Sequence, residues 1–146
     1  MAFIKELIHA LTVLHPLHTL VVHFPIALTG AALFFILLAL WKKKPVLEQV
    51  AFADLALASV SVIAAGITGL RDNINLYHGT APNVTAKIIL AVILFFISAA
   101  VSIWRWKKPG IFSDSYTRWI YCGSYLVCFM LAAVLGFLGG VIVYGF

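Results

Sequence analysis

Charged residues are scarce in this sequence. Asp, Glu, Lys and Arg make up 10% of its 146 residues, whereas apolar residues make up 64%. A soluble domain carries about 25% charged residues and needs them to cover its surface. The composition therefore argues against an ordinary water-soluble fold, and the mean hydropathy of +1.09 indicates a protein that is solvated largely by lipid.

Cysteine is scarce too. Cys122 and Cys128 are the only two, and both lie in the last apolar run. Six residues of helix span about 9 Å, which is too far for a disulfide. No Cys-x-x-Cys-His motif occurs, so covalently attached haem c is excluded. We expect both thiols to be buried as small apolar groups rather than to act as redox centres or metal ligands.

Recognisable catalytic patterns are absent as well. The sequence has no nucleophile–base arrangement, no phosphate-binding loop and no pair of acids, so an enzyme is not indicated. The net charge is +5, but most Lys and Arg residues lie in two short clusters between apolar runs. That distribution is typical of membrane topology and does not indicate a nucleic-acid partner. A cleaved signal peptide is not expected, because the lysine cluster follows the first apolar run instead of preceding it.

Four apolar runs are long enough to cross a bilayer, at residues 19–41, 49–70, 84–104 and 119–143. A crossing needs about 20 residues. Short polar connections make consecutive spans antiparallel neighbours, which predicts an all-α, four-helix transmembrane bundle with up-down-up-down topology in one domain, 1–146. Residues 1–14 are too short to span, and their helical spacing of apolar residues predicts a short interfacial helix.

Positive charge concentrates in the first and third connections. The positive-inside rule places these connections in the cytoplasm, so both termini and the 71–83 loop face the outer, periplasmic side. Tryptophan and tyrosine residues gather at the same inner boundary, as expected of an aromatic belt. The charged residues are Lys42, Lys43, Lys44, Arg105, Lys107, Lys108 and Arg118, and the aromatic ones are Trp41, Trp104, Trp106, Tyr116, Trp119 and Tyr121.

Small residues at every fourth position predict close helix contacts. They occur in three spans, at Ala27 and Ala31, at Ser61, Ala65 and Gly69, and at Gly136 and Gly140. Pro25 lies inside the first span and predicts a kink near Val21, because proline cannot donate the helical hydrogen bond to that residue.

The histidines are the strongest candidates for chemistry. His15, His18 and His23 lie in the stretch HPLHTLVVHFP, His78 lies in the 71–83 loop and His9 lies in the interfacial segment. Ionisable residues at membrane depth are costly and usually functional, and imidazole binds metals and haem iron. On one ideal helix, His18 and His23 would be about 140° apart, so the two prolines must bend the chain if all three are to converge.

His23 and His78 are our first choice as ligands. His23 is expected about one turn below the outer surface, and His78 could approach it from the start of the third span. Such a pair suits haem b with two axial imidazoles. A divalent metal at His15, His18, His23 and His78 is an alternative, and simple hydrogen bonding of these side chains is another.

Two acids lie in the second span or at its end. Asp54 is expected to pair with Arg105 or Arg118 near the inner face, or to mark a proton path. Asp72 follows Arg71 at the outer end and is expected either to cap the next turn or to orient a histidine.

Several motifs resemble those of the bacterial membrane family called "domain of unknown function 2231". They are HPLHTLVVHFPIAL at 15–28, Thr68-Gly69 with Asp72, His78 with Asn83, and Gly139-Gly140 followed by Val143-Tyr144-Gly145. The resemblance covers nearly the whole chain and implies a bacterial inner-membrane protein. Some relatives resemble fusions with Rieske iron–sulfur or cytochrome-type domains, which implies electron transfer near the outer face.

We therefore expect a membrane electron-transfer module that binds haem b through His23 and His78, with His18 and His15 next in order. Asp72 and Asn83 are expected to support these ligands. A redox partner or larger complex is expected on the outer side. The alternatives are a cofactor-free accessory or scaffolding subunit of a respiratory or photosynthetic complex, and a divalent-metal-binding protein.

Overall fold

The computed structural model describes residues 2–9 and 17–144, with the side chains of 3–6 and 17–141. Every regular element in these ranges is a helix. The elements are α1 (Ala2–His9), α2 (Leu17–Val21), α3 (His23–Lys42), α4 (Pro45–Asn75), α5 (Val84–Lys107) and α6 (Ser115–Tyr144).

Four segments of the described chain are long and apolar enough to cross a membrane, which confirms the predicted four-span bundle. They are Leu17–Lys42, which combines α2 and α3, then Pro45–Asn75, Val84–Lys107 and Ser115–Val141. Helix α1 confirms a short N-terminal helix. Residues 10–14 of the predicted interfacial segment lie outside the described residues, and the position of α1 in the interface stays a prediction.

Helix α4 runs well beyond the apolar run that predicts it, from Pro45 to Asn75 instead of 49–70. Proline is favourable at the first helical position, where its missing N–H has no intrahelical partner to lose. The helix then continues through Glu48 at one end and through Arg71 and Asp72 at the other. Hydropathy marks the lipid-facing part of a helix, whereas the hydrogen-bonded helix continues into its polar ends.

The first span is interrupted at Val22, next to the predicted kink site. Helix α2 ends at Val21 and α3 begins at His23. Pro25 cannot donate a helical hydrogen bond to the Val21 carbonyl, which weakens the helix at this point. The Val22 N–H still donates to the His18 carbonyl at 2.9 Å, so the interruption is a local break within one span.

The four long helices form a square in chain order. Helices α3 and α5 each pack against both α4 and α6, and the short α2 lies on α4. Because the connections are short, consecutive helices are antiparallel neighbours.

Buried positions on each helix follow an alternating three- and four-residue spacing, which is the seam of a left-handed coiled coil. On α4 the buried residues in this register are Glu48, Ala51, Leu55, Ala58, Val62, Ala65 and Asp72. On α3 they are Thr29, Ala32, Ile36 and Ala39, and on α6 Tyr121, Tyr125, Cys128 and Ala132. Cys122 and Cys128 are buried and free, as predicted.

The buried positions of the seam correct part of the prediction for the small residues. Ala27 is exposed, so the prediction that it packs between helices is wrong; the seam of α3 passes through Ala32 instead. Ala65 is buried as predicted. Gly136 also makes the expected close contact, because a Cβ there would lie 2.8 Å from Cδ1 of Ile26 on α3.

The serine and threonine hydroxyls in the middle of the described spans hydrogen-bond within their own helices. Thr29 donates to the Pro25 carbonyl at 2.7 Å, Ser59 to Leu55 at 3.0 Å and Ser102 to Ser98 at 2.8 Å, each within its own helix. Hydrogen bonding back to the preceding turn satisfies these groups in lipid. The middle of the bundle is therefore held by close packing, and its interhelical polar contacts lie at the two ends.

Candidate functional site

The bundle has two polar ends, which we name by their residues. The histidine end comprises residues 17–23 and 65–87, and the basic end comprises residues 41–48 and 104–121. The seam of α4 joins them, with Glu48 at the basic end and Asp72 at the histidine end.

Asp72 holds the start of α2 against α4. Its Oδ2 accepts a hydrogen bond from the backbone N–H of His18 at 2.8 Å, and its Oδ1 pairs with Arg71 Nη1 at 3.1 Å. The first N–H groups of a helix have no intrahelical acceptor, so a carboxylate there stabilises the helix start. Asp72 is only 4% exposed, which makes this contact part of the packed structure. The carboxylate thus caps the start of α2 and not, as expected, the turn that follows Asp72, and the orientation of a histidine ligand by Asp72 stays a prediction.

The imidazole of His18 is oriented by the backbone of α4. Its Nδ1 lies 2.9 Å from the Ala65 carbonyl oxygen. A carbonyl can only accept, so Nδ1 carries the proton and Nε2 keeps its lone pair. Gly69 makes this position possible, because a Cβ there would lie 3.1 Å from Cε1 and Nδ1 of the ring.

This hydrogen bond is the one that metal-binding histidines usually make. A ligating imidazole donates its second ring N–H to a carbonyl or carboxylate, which fixes the tautomer and the ring plane. His18 is half-buried, so the surrounding protein restricts the rotation of the ring that carries Nε2.

His23 has the same tautomer but a more open position. Its Nδ1 lies 2.5 Å from the Thr19 carbonyl oxygen, one turn earlier, and the side chain is exposed. Here too the carbonyl requires a protonated Nδ1 and leaves the Nε2 lone pair for a ligand.

His78 lies in the turn between α4 and α5. It is exposed and has a φ of 51°, in the left-handed region, as has Asn83 with a φ of 58°. Asn73 stabilises the turn, because its carbonyl oxygen accepts from the Gly79 N–H at 2.8 Å and its side-chain oxygen from the Ala81 N–H at 3.2 Å. Asn83 precedes α5 without a side-chain capping bond.

The three predicted ligands that the structure describes, His18, His23 and His78, are therefore near one end of the bundle but are not joined into one cluster. Within the described ranges, no group of three His, Cys, Asp or Glu side chains is arranged to hold a metal ion. His15 lies outside the described residues, as does the side chain of His9. Among the histidines whose side chains the structure describes, His18 is the one that is both half-buried and hydrogen-bonded to another helix, although its place in the sequence ranks it below His23.

At the basic end, Glu48 connects three helices. Its Oε1 and Oε2 accept from Nε and Nη2 of Arg105 on α5, at 2.6 and 2.8 Å. Tyr121 on α6 donates to the same Oε1 at 2.9 Å, and its oxygen lies 2.6 Å from the hydroxyl of Tyr125. Since the Tyr121 proton is used on the carboxylate, Tyr125 must be the donor to Tyr121. Glu48 is 3% exposed and the tyrosines at most 1%, so the network is buried.

This network corrects the prediction for Asp54. Arg105 pairs with Glu48, and Asp54 forms no ion pair with Arg105 or Arg118 in the part of the chain that the structure describes. The Oδ2 atom of Asp54 and the Nε atom of Arg118 are both buried without a hydrogen-bond partner. The reason is register: Asp54 lies one residue off the seam, whereas Glu48 lies on it.

The loop between α5 and α6 folds back onto the start of α6. Ile111 is fully buried, and Thr117 Oγ1 donates to its carbonyl at 2.8 Å. The same hydroxyl lies 2.8 Å from Asp114 Oδ2, so its single proton is shared between the Ile111 carbonyl and this carboxylate, and the backbone N–H of Thr117 donates to Oδ2 at 3.2 Å. These hydrogen bonds, with a smaller contribution from the charge of Lys108, lower the pKa of Asp114.

A family model described as "Predicted membrane protein (DUF2231)" matches residues 14–146. No curated protein and no solved structure matches the chain.

Proposed function

The chain belongs to the DUF2231 family of predicted membrane proteins, and we propose that it is a membrane electron-transfer module that binds haem b at its histidine end. The orientation that fits this role places both termini and the histidine end on the periplasmic side of a bacterial inner membrane. The excess of Lys and Arg at the opposite end supports that orientation.

The observation that carries the proposal is the hydrogen bond from His18 Nδ1 to the Ala65 carbonyl. It leaves Nε2 as the only lone pair of a ring that is held on α4, and this is the form of histidine that binds haem iron. His23 has the same tautomer and could supply a second ligand. His78 and His15 are further candidates from the sequence. Bound haem would carry one electron by cycling between ferric and ferrous iron.

The residues around His18 would position this histidine for binding haem and would not act on a substrate. Asp72 fixes the backbone of His18, and Gly69 lets the ring lie against α4. A ring held by its Nδ1 hydrogen bond to Ala65, on a backbone fixed by Asp72, would need little reorganisation on binding haem.

The test is an absorption spectrum of protein purified in mild detergent from haem-replete cells, combined with metal analysis of the same sample. We expect a Soret band that sharpens and shifts on reduction with dithionite. His18→Ala should abolish the band while retaining the helical circular dichroism, and His9→Ala, in α1, should leave the band unchanged. A colourless sample without iron would refute haem binding, and stoichiometric zinc or copper would favour the divalent-metal alternative.

A second candidate function is an accessory subunit without a cofactor. An entirely apolar groove between α5 and α6 favours it, since such a surface could receive an apolar helix of a larger complex. The groove is lined by Leu90, Leu126, Val127, Met130, Leu131 and Val134. Co-purification with a multisubunit complex that is unchanged by His18→Ala would support this function, and a chain that purifies alone from native membranes would count against it.

A further inference from the structure

Arg118, in the first turn of α6, has a charge that the described part of the chain does not neutralise. Its Nε is buried without an acceptor, and its Nη2 has only a 3.5 Å contact with the Ser115 hydroxyl. Buried hydrogen-bond donors are nearly always paired, and a guanidinium preferentially binds a carboxylate or a phosphate. The acceptor that completes this site must therefore come from outside these residues.

Carboxylates do not balance the positive charge at the basic end. Glu48 is already used by Arg105, and Asp114 is bonded to Thr117. No other ion pair forms at this end in the described ranges. The cations of this end that form no ion pair in the described ranges are Lys42, Lys43, Lys44, Lys107, Lys108 and Arg118, of which Lys108 interacts with the charge of Asp114.

Aromatic side chains place these cations at the depth of lipid headgroups. Trp41, Trp106, Tyr116 and Trp119 are 73%, 77%, 76% and 65% exposed. Exposed tryptophan and tyrosine residues at the ends of membrane helices lie at the headgroup level. The loop that carries Lys108 is fixed to α6 by the Thr117 hydrogen bond to Ile111, so Lys108 and Arg118 are held at the same end.

We propose that the basic end binds the headgroup of an anionic phospholipid, with its phosphate on Arg118 and with Lys107 and Lys108 adding attraction. The charge favours an anionic lipid over a zwitterionic one, because a zwitterionic headgroup carries its own ammonium group and brings no net negative charge. This site lies at the opposite end from the proposed haem, so the two can be tested separately.

The experiment uses the full chain in a neutral detergent and follows thermal unfolding by circular dichroism. Phosphatidylglycerol and phosphatidylcholine with the same acyl chains are titrated in parallel, and glycerol phosphate serves as the headgroup without a tail. We expect only phosphatidylglycerol to raise the unfolding temperature. Arg118→Gln should weaken its apparent affinity about fivefold, as expected for one charge near a headgroup. Lys5→Gln, in the exposed part of α1, should leave the affinity unchanged.

Equal stabilisation by both lipids, or equal affinity of Arg118→Gln and the parent chain, would overturn the proposal. Stabilisation by glycerol phosphate alone would assign the site to a free anion and would also overturn it. If Arg118→Gln does not fold, the double substitution Lys107→Gln and Lys108→Gln provides the same comparison. Unchanged affinity in that variant would again contradict the assignment.

Discussion

Removing the carboxylate of Glu48 should destabilise the bundle more than most single substitutions. Glu48→Ala leaves the Arg105 guanidinium, 13% exposed in its side chain, without its bidentate partner and leaves the buried Tyr121 hydroxyl without its acceptor. Breaking a buried ion pair from one side costs about 3–5 kcal/mol, because the remaining charge stays buried. We therefore expect the free energy of unfolding to fall by roughly that amount.

The assay is reversible unfolding in mixed micelles with increasing sodium dodecyl sulfate, followed by circular dichroism. Gln49→Ala is the matched control, because Gln49 is the next residue on the same helix and is exposed. It should change the free energy of unfolding by less than about 0.5 kcal/mol. Adding Arg105→Ala to Glu48→Ala should recover part of the loss, since no unpaired charge then remains.

A loss below about 0.5 kcal/mol in Glu48→Ala would refute the reasoning, because a buried charge would then have lost its partner without cost. Purely additive effects of the two substitutions would also contradict it. In that case the ion pair would contribute no coupling between α4 and α5.

Two further predictions concern close packing and pH. Gly69→Ala should lower the free energy of unfolding by about 1–3 kcal/mol, because the new Cβ would lie 3.1 Å from the His18 ring. Gly66→Ala is the control and should not lower it, because no atom lies within 4 Å of the new Cβ. Unfolding in mixed micelles compares the two variants, and equal effects would contradict the packing. The lowered pKa of Asp114 adds stability above its ordinary value of 3.8, which is lost as the pH falls through the lower folded pKa. Unfolding temperatures measured from pH 6 to acid should fall less steeply in Asp114→Asn, and identical slopes would count against the bonds from Thr117.

The number and type of the helices could be predicted from the sequence because lipid imposes a simple requirement. Every backbone group must be satisfied within the span, so a long apolar run has to be a helix. The break at Val22 also followed from one residue, Pro25, whose missing N–H acts locally. Both features depend on residue types at single positions or in one continuous run, which can be read directly from the sequence.

The interhelical contacts could not be predicted in the same way, since hydropathy does not fix the rotation of a helix. Depth alone predicts that Asp54 pairs with an arginine of the basic end, whereas the seam places Glu48 against Arg105 instead. A signal was present in the sequence: small and branched residues repeat at three- and four-residue spacing from Ala51 to Ala65. Extending that register to both ends of α4 reaches Glu48 and Asp72 and leaves Asp54 outside.

The ranking of the histidines changed for a similar reason. His23 and His78 were favoured because of their expected depth, whereas the hydrogen bond that orients His18 joins residues 47 positions apart. No local pattern contains that pairing. It depends on α2 lying against α4, which in turn depends on Gly69 being small enough to leave room for the ring.

The most direct test of the proposed function is the haem content per chain, measured by pyridine haemochrome on the parent protein and on His18→Ala purified in parallel. Our account predicts close to one haem b for each folded chain and almost none in His18→Ala. Equal haem content in the two proteins, or no haem in either, would contradict the assignment of His18 as the axial ligand.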